Sequence, residues 1–246
     1  MNTRTKIFLL AAVLATTVVG VFANGQLVAG VEENSKKNNG FTDEFFTEDC
    51  DFASTGSNRF FILEPGWRLV FSGEGDQGEE IGLTVTVQDR TRVVDGVETR
   101  IVVERHVEDG ELVEVSRNYF AMCKQTSSMF YYGEEVDNYV DGEIVNHNGS
   151  WLAGENGAKA GIIMPGTVLL GSKYQQETAP GAAMDRGQIV SMNKIVVTPA
   201  GTFENVLKIK ETTPLEPNAL DFKYHAAGIG LIQDNEIKLE EYGFIE

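Results

Sequence analysis

Histidine and cysteine are scarce in this chain of 246 residues: three histidines and two cysteines. His106, His147 and His225 each stand alone, with no second ligand type at metal spacing, so no metal site is expected. Basic residues are also few, 20 Lys and Arg against 37 Asp and Glu, for a net charge of −17. Such a surface repels nucleic acid and anionic lipid, so neither is an expected partner. The acidic clusters at 43–51, 74–80 and 134–137 lack the alternating ligand order and the glycine of a calcium loop. Gly149-Ser150-Trp151 and Gly171-Ser172-Lys173 lack the strand–turn–helix setting of a nucleophile elbow. A phosphate-cradling glycine loop and a His-Glu-x-x-His helix are both missing, so no cofactor is implied.

Long apolar runs are confined to the N-terminus. Arg4 and Lys6 precede an uncharged stretch over 7–21, and Val21-Phe22-Ala23 supplies small residues where a signal peptidase reads. Residues 1–23 are therefore expected to be a signal peptide, cut after Ala23, with Ala29 as the alternative site. A retained anchor is the competing reading, although the apolar core is short for a span of roughly 20 residues. No cysteine lies near the cut for acylation, and no later window stays uncharged long enough to cross a bilayer. The expected location is secreted or on the exterior of the cell envelope, with no stable membrane span after cleavage. In that oxidising compartment Cys50 and Cys123 should pair.

What the chain does have is alternation. Asp95-Gly96, Asp109-Gly110 and Asp141-Gly142 each separate runs rich in valine, isoleucine and tyrosine, the signal for tight antiparallel hairpins. Ile81, Leu83, Val85 and Val87 alternate with Gly82, Thr84, Thr86 and Gln88, a strand with one buried face. In the next strand Val97, Thr99, Ile101 and Val103 are expected inward, with Glu98, Arg100, Glu104 and His106 outward. Near the C-terminus Phe222, Tyr224 and Ala226 share one face, and Asp221, Lys223 and His225 the other. His106 and His225 thus fall on the polar phase and are expected at the surface.

Residues 24–57 show no such period and are expected to be a mobile polar leader with at most a short helix near 42–46. Residues 58–246 are expected to form a single domain. The dense glycine and alanine of 149–171 predict a long irregular connection. The fold class is all-β: an antiparallel meander forming a strongly curved sheet or half-open barrel.

The densest mixture of aromatic, amide and carboxylate groups beside a loop lies at Tyr174, Gln175, Gln176 and Glu177, followed by Asp185. With Trp151, Met164 and Phe203 these residues could line the mouth of a concave sheet and hold an apolar or amphipathic ligand. Glu177 and Asp185 are candidates for an acid–base pair. Asn148-Gly149-Ser150 matches the triplet for N-glycosylation at Asn148.

The stretch 58–73, NRFFILEPGWRLVFSG, resembles a family of exported bacterial and archaeal all-β proteins with no established function. The resemblance continues through 149–185, with GSWLAGENGAKAGIIMPG and YQQETAPGAAMD, then 199–216 and 224–234, with PAGTFENVLKIKETTPLE and YHAAGIGLIQD. The architecture is similar to the curved sheets of lipoprotein carriers, which implies a half-open barrel able to hold acyl chains. Gly66-Trp67 departs from the lipocalin pattern, which places a residue between the two.

The expected function is a secreted or cell-envelope binding protein, non-enzymatic, for a small apolar ligand or an envelope component. The alternatives are a hydrolase or isomerase using Glu177 and Asp185, and a structural envelope protein without a pocket.

Overall fold

The computed structural model describes residues 40–75 and 77–245; the expected signal segment lies outside the described residues. The chain forms β1 (Phe52–Ala53), β2 (Ser57–Asn58), β3 (Phe61–Ile62), β4 (Trp67–Glu74), β5 (Glu80–Val94) and β6 (Val97–Glu108). Next come β7 (Glu111–Cys123), β8 (Ser128–Val140), β9 (Glu143–Asn146), β10 (Trp151–Leu152), β11 (Lys159–Met164) and β12 (Lys173–Gln175). The last are β13 (Glu177–Thr178), β14 (Arg186–Thr198), β15 (Gly201–Thr212), β16 (Asp221–Ala226), β17 (Gly230–Asp234) and β18 (Ile237–Phe244). Among the described residues the helical content is one 3-10 turn, Thr47–Asp49.

The three Asp-Gly pairs turn as their sequence requires. Asp95 and Gly96 have φ of 48° and 78°, Asp109 and Gly110 of 49° and 81°, Asp141 and Gly142 of 54° and 79°. Two successive positive φ values make a turn whose twist matches the strands it joins, and the three connect β5 to β6, β6 to β7 and β8 to β9.

Thirteen strands pair in the order β12-β14-β15-β16-β17-β18-β4-β5-β6-β7-β8-β11-β13. The sheet is antiparallel and curls until its two ends nearly meet. Those ends, β12 and β13, are one piece of chain interrupted by Gln176 alone. Its first half pairs with β14 and its second half with β11. The barrel is thus nearly closed, with one seam that the ladder leaves unsealed. Thr42 lies along the free edge of β12, donating from its amide to the Lys173 carbonyl (2.9 Å) and accepting from the Gln175 amide (2.8 Å). An edge strand covered in this way is no longer a template for other chains.

Cys50 and Cys123 form a disulfide. It fastens the N-terminal arm to β7, where Phe52 and Ala53 pair with Cys123 and Met122. The rings of Phe45 and Phe52 both pack edge-on against Phe130, at 5.9 and 5.4 Å between centroids.

Three expectations need correction. Ile81, Leu83 and Val87 are buried as the period predicts, as is Thr99 with Glu98 exposed, but from Arg100 onward β6 is turned over: Arg100, Val102, Glu104 and His106 are buried while Ile101 and Val103 are only half-buried. The same holds for β16, where Lys223 and His225 are buried and Phe222 and Tyr224 lie half-buried beneath the Lys208 ammonium, 3.5 Å above the Phe222 ring. His106 and His225 are therefore interior residues. The physical reason is that Glu211 and Asp234 supply counter-charge to Lys223, while the imidazoles are buried in their neutral form. The third correction concerns 149–171, which contains β10 and β11. Their run of small and branched residues is flanked on both sides, β11 by β8 and β13, as a central strand requires.

Candidate functional site

Antiparallel partners project side chains to the same face, so β4, β5, β6, β7, β15 and β16 together line one interior. A partly open cavity of about 70 Å³ lies among them. Phe61, Trp67, Val85, Val87, Phe120 and Ile229 wall it, while Glu104, Glu211, Lys223 and His225 contribute the polar part of its lining. The β2–β3 hairpin closes one side. It is held by the buried side chains of Phe60 and Leu63, by the Gly228 amide donating to Arg59 O (2.8 Å), and by the Leu63 amide donating to Gly56 O (2.9 Å). The Trp67 indole N–H donates to Ile229 O at 3.2 Å, fixing that ring in the wall.

The charges inside do not balance. Lys223 Nζ lies 3.2 Å from Glu211 Oε2 and 3.4 Å from Asp234 Oδ2. Burial opposes a charge on Lys223, yet Asp234, Glu211 and Glu104 hold its pKa well above the ordinary lysine value. Glu211 also accepts from Gln176 Nε2 at 2.6 Å. Around this one ammonium stand further carboxyls with little or no compensation. Burial pushes Glu104 up to about 7 against the opposing pull of Lys223, and pushes Glu114 to about 7 as well. Asp234 rises to about 7, mainly through burial. Burial together with Glu114 and Glu104 raises Glu134 well above the usual carboxylate range. Both imidazoles are driven neutral: His106 falls to about 4 through burial, and His225 to about 3 through burial and the nearby Lys223. Seen chemically, the interior holds several carboxyls with raised pKa values around one lysine, capped by apolar walls.

The residues singled out from sequence are dispersed differently. Trp151, Met164 and Tyr174 are buried in one hydrophobic cluster. Phe203 packs against the other cluster, its ring 6.5 Å from that of Tyr242. Glu177 and Asp185 are brought together: the Asp185 amide donates to Glu177 Oε1 at 2.5 Å. Burial and the neighbouring Asp185 raise the Glu177 carboxyl well above its ordinary range, and burial with Glu211 raises Asp185 to about 7. Neither borders the central cavity. Trp151 borders a separate groove of about 260 Å³, shared with Glu134, Ser150, Asn156 and Pro180. Asn148 is exposed in the turn after β9, its amide donating to Asn146 Oδ1 at 3.0 Å. Among the described residues no group of His, Cys, Asp or Glu is arranged to hold a metal ion.

Sequence reasoning missed Glu104, Glu134, Lys223 and Trp67 as interior groups. The signal that could have exposed Lys223 was its place opposite Asp234 across a short hairpin, two opposite charges in register on one face.

No protein-family model matches the chain, and no curated protein does. Two solved structures are similar. One, from Bacteroides fragilis, is provisionally described as an exported protein with a YmcC-like fold; it is 15% identical with a TM-score of 0.38, over 76% of this chain and 100% of that one. The other, from Parabacteroides distasonis, is provisionally described as a lipoprotein; it is 12% identical with a TM-score of 0.37, over the same shares of both chains. The disulfide is chemistry of an extracytoplasmic compartment. No described helix is long and apolar enough to cross a membrane.

Proposed function

We propose that this protein is a secreted or envelope-exterior binding protein that takes a small amphipathic molecule into the barrel. The observation that carries the reading is the cavity beneath the β2–β3 hairpin, whose lining is aromatic and aliphatic except for Glu104, Glu211, Lys223 and His225. A ligand with a short hydrocarbon body and a polar head matches that division, because burying the head against apolar walls alone would cost its hydration. The cavity of about 70 Å³ is partly open and has room for only a few water-sized groups.

Trp67 is in the wall, and Trp151→Phe leaves it as the sole tryptophan, excited selectively over the tyrosines. In that variant 1-hexanol should change the Trp67 emission saturably, and Val102→Phe, which fills the cavity, should abolish the change. A linear response with no plateau, or one that survives Val102→Phe in a protein with an unchanged circular dichroism spectrum, contradicts the proposal. Catalysis at Glu177 and Asp185 is not part of this reading, since Glu177 is 1% exposed and the pair lines neither recess.

A further inference from the structure

One strip of the barrel's outer face is basic, although the chain as a whole carries a net charge of −17. Cross-strand partners project to the same face, so the ladder pairs define the rows of this strip. One row runs through Lys173, Gln188, Lys210 and Phe222 on β12, β14, β15 and β16. The next runs through Ser191, Lys208, Tyr224, Gln233 and Lys238, from β14 to β18. Arg186, paired with Thr212, begins a third. Ile189, Ile209 and Lys223 alternate with these residues and are buried, so the rows face outward. No position in them is a carboxylate, and at about 4.8 Å per strand the strip is about 24 Å wide.

The ion pairs among the described residues involve none of its five cations, Lys173, Arg186, Lys208, Lys210 and Lys238. Aromatic rings hold three of them instead. The Lys208 ammonium lies 3.5 Å from the Phe222 ring centre and 5.2 Å from that of Tyr224. Lys173 Nζ and Arg186 Cζ stand 5.6 and 5.2 Å from the Phe41 ring. Such contacts orient a cation and leave its charge in place.

Exposed apolar side chains flank the strip at its β12 end. The turn before β12 is closed by Ser172, whose amide and hydroxyl donate to Leu169 O at 3.0 and 2.8 Å. The Gly171 amide pins it to β14, donating to Ile189 O at 2.8 Å. Leu169 and Leu170, in the same turn as these anchors and just ahead of Lys173, are 63% and 68% exposed.

We propose that this strip is a peripheral docking face for an anionic lipid surface, with Leu169 and Leu170 entering the headgroup layer and the five cations against its phosphates. Apolar burial and electrostatic attraction together are what interfacial binding requires. A soluble acidic polymer would engage the lysines but would give the two leucines nothing to enter. The acidic remainder of the protein does not cancel the attraction, because at physiological ionic strength charges more than about 8 Å away are largely screened. It does orient the molecule, since only this side can approach.

Flotation with phosphatidylcholine vesicles, with and without phosphatidylglycerol, tests the proposal on the full chain. Binding should be tighter with phosphatidylglycerol and should weaken as salt is raised. The double variant Lys210→Gln, Lys238→Gln should bind the mixed vesicles about fivefold less tightly per charge removed. Arg105→Gln with Lys124→Gln changes net charge equally at exposed positions outside the strip and should have no effect. Leu169→Ser with Leu170→Ser should weaken binding while leaving its salt dependence unchanged. Lys210→Arg with Lys238→Arg keeps both charges and should bind as the parent does. The proposal is overturned if both vesicle types bind equally, if the Arg105 and Lys124 pair weakens binding as much as the Lys210 and Lys238 pair, or if the arginine variant also loses it. Retention on immobilised poly-L-glutamate without binding to mixed vesicles would overturn it too, in favour of a soluble acidic polymer.

Discussion

Lys223 and Asp234 face each other as cross-strand partners on β16 and β17, with Nζ 3.4 Å from Oδ2 inside the barrel. Glu211 flanks the same ammonium at 3.2 Å. One cation thus stands against several buried carboxyls, and the stability of the fold follows from that imbalance.

Lys223→Met leaves Glu211 and Asp234 facing each other with no compensating charge. Removing one partner of a buried ion pair costs about 3–5 kcal/mol, and urea denaturation at pH 8 should show a loss of that order. A loss below about 1 kcal/mol would mean that water reaches these carboxylates.

The pH dependence has a definite sign. Glu104, Glu114, Asp185 and Asp234 titrate near 7 when folded, above their unfolded values, and Glu134 and Glu177 are also raised. Groups of this kind contribute stability that is fully present below the unfolded carboxyl range and lost as pH rises through about 7. His106 and His225 work in the opposite direction: their folded values are about 4 and 3, so their contribution is present above 6.5 and lost in acid. The carboxyls outnumber the imidazoles, and each proton held only in the folded state tilts stability by about 1.4 kcal/mol per pH unit. Melting temperature should therefore be higher at pH 5 than at pH 8. A curve that rises toward pH 8 would contradict the buried, protonated interior.

The disulfide closes a loop between residues 73 positions apart. Chain entropy assigns such a loop roughly 4 kcal/mol. The Cys50→Ser, Cys123→Ser double variant should lose a comparable amount in denaturant titration, and protease should then release the segment around Phe52. An unchanged midpoint would show that the arm is held by ring packing alone.

Gly161 sits where β11 meets the seam, and a Cβ there would lie 2.6 Å from the carbonyl oxygens of both Gln175 and Gln176. Backbone atoms cannot swing aside, so Gly161→Ala should cost about 1–3 kcal/mol. Hydrogen exchange should quicken at Gln175 before it quickens in β5 and β6. Uniform acceleration across the sheet would contradict a weakness localised at the seam.

The hairpins, the all-β class, the strongly curved antiparallel sheet and the disulfide were legible in the sequence because each rests on local chemistry. Asp-Gly demands positive φ, alternation demands a strand, and a cysteine pair in a chain expected to be exported demands a bond. Which face of a strand is inner was legible only where one face was purely aliphatic, as at Ile81, Leu83 and Val87. In β6 and β16 both faces were plausible, and the choice depended on carboxyls such as Glu104 reaching Lys223 from a strand more than 100 residues earlier. Period 2 carries no information about that. The strand β11 was hidden for another reason: its glycine and alanine serve close backbone approach at the seam, and the same residues elsewhere mark loops.

The sheet closes through β18 on β4, where Leu239 pairs with Phe71 and Lys238 with Ser72. The first long strand to be synthesised therefore waits for the last before it gains its second neighbour. Pairing of such sequence separation is slow, and the two halves of the sheet cannot join on a nascent chain that lacks residues 237–244. Until then the chain is a set of open hairpins. The two halves of the sheet stay apart on the growing chain until β18 joins them.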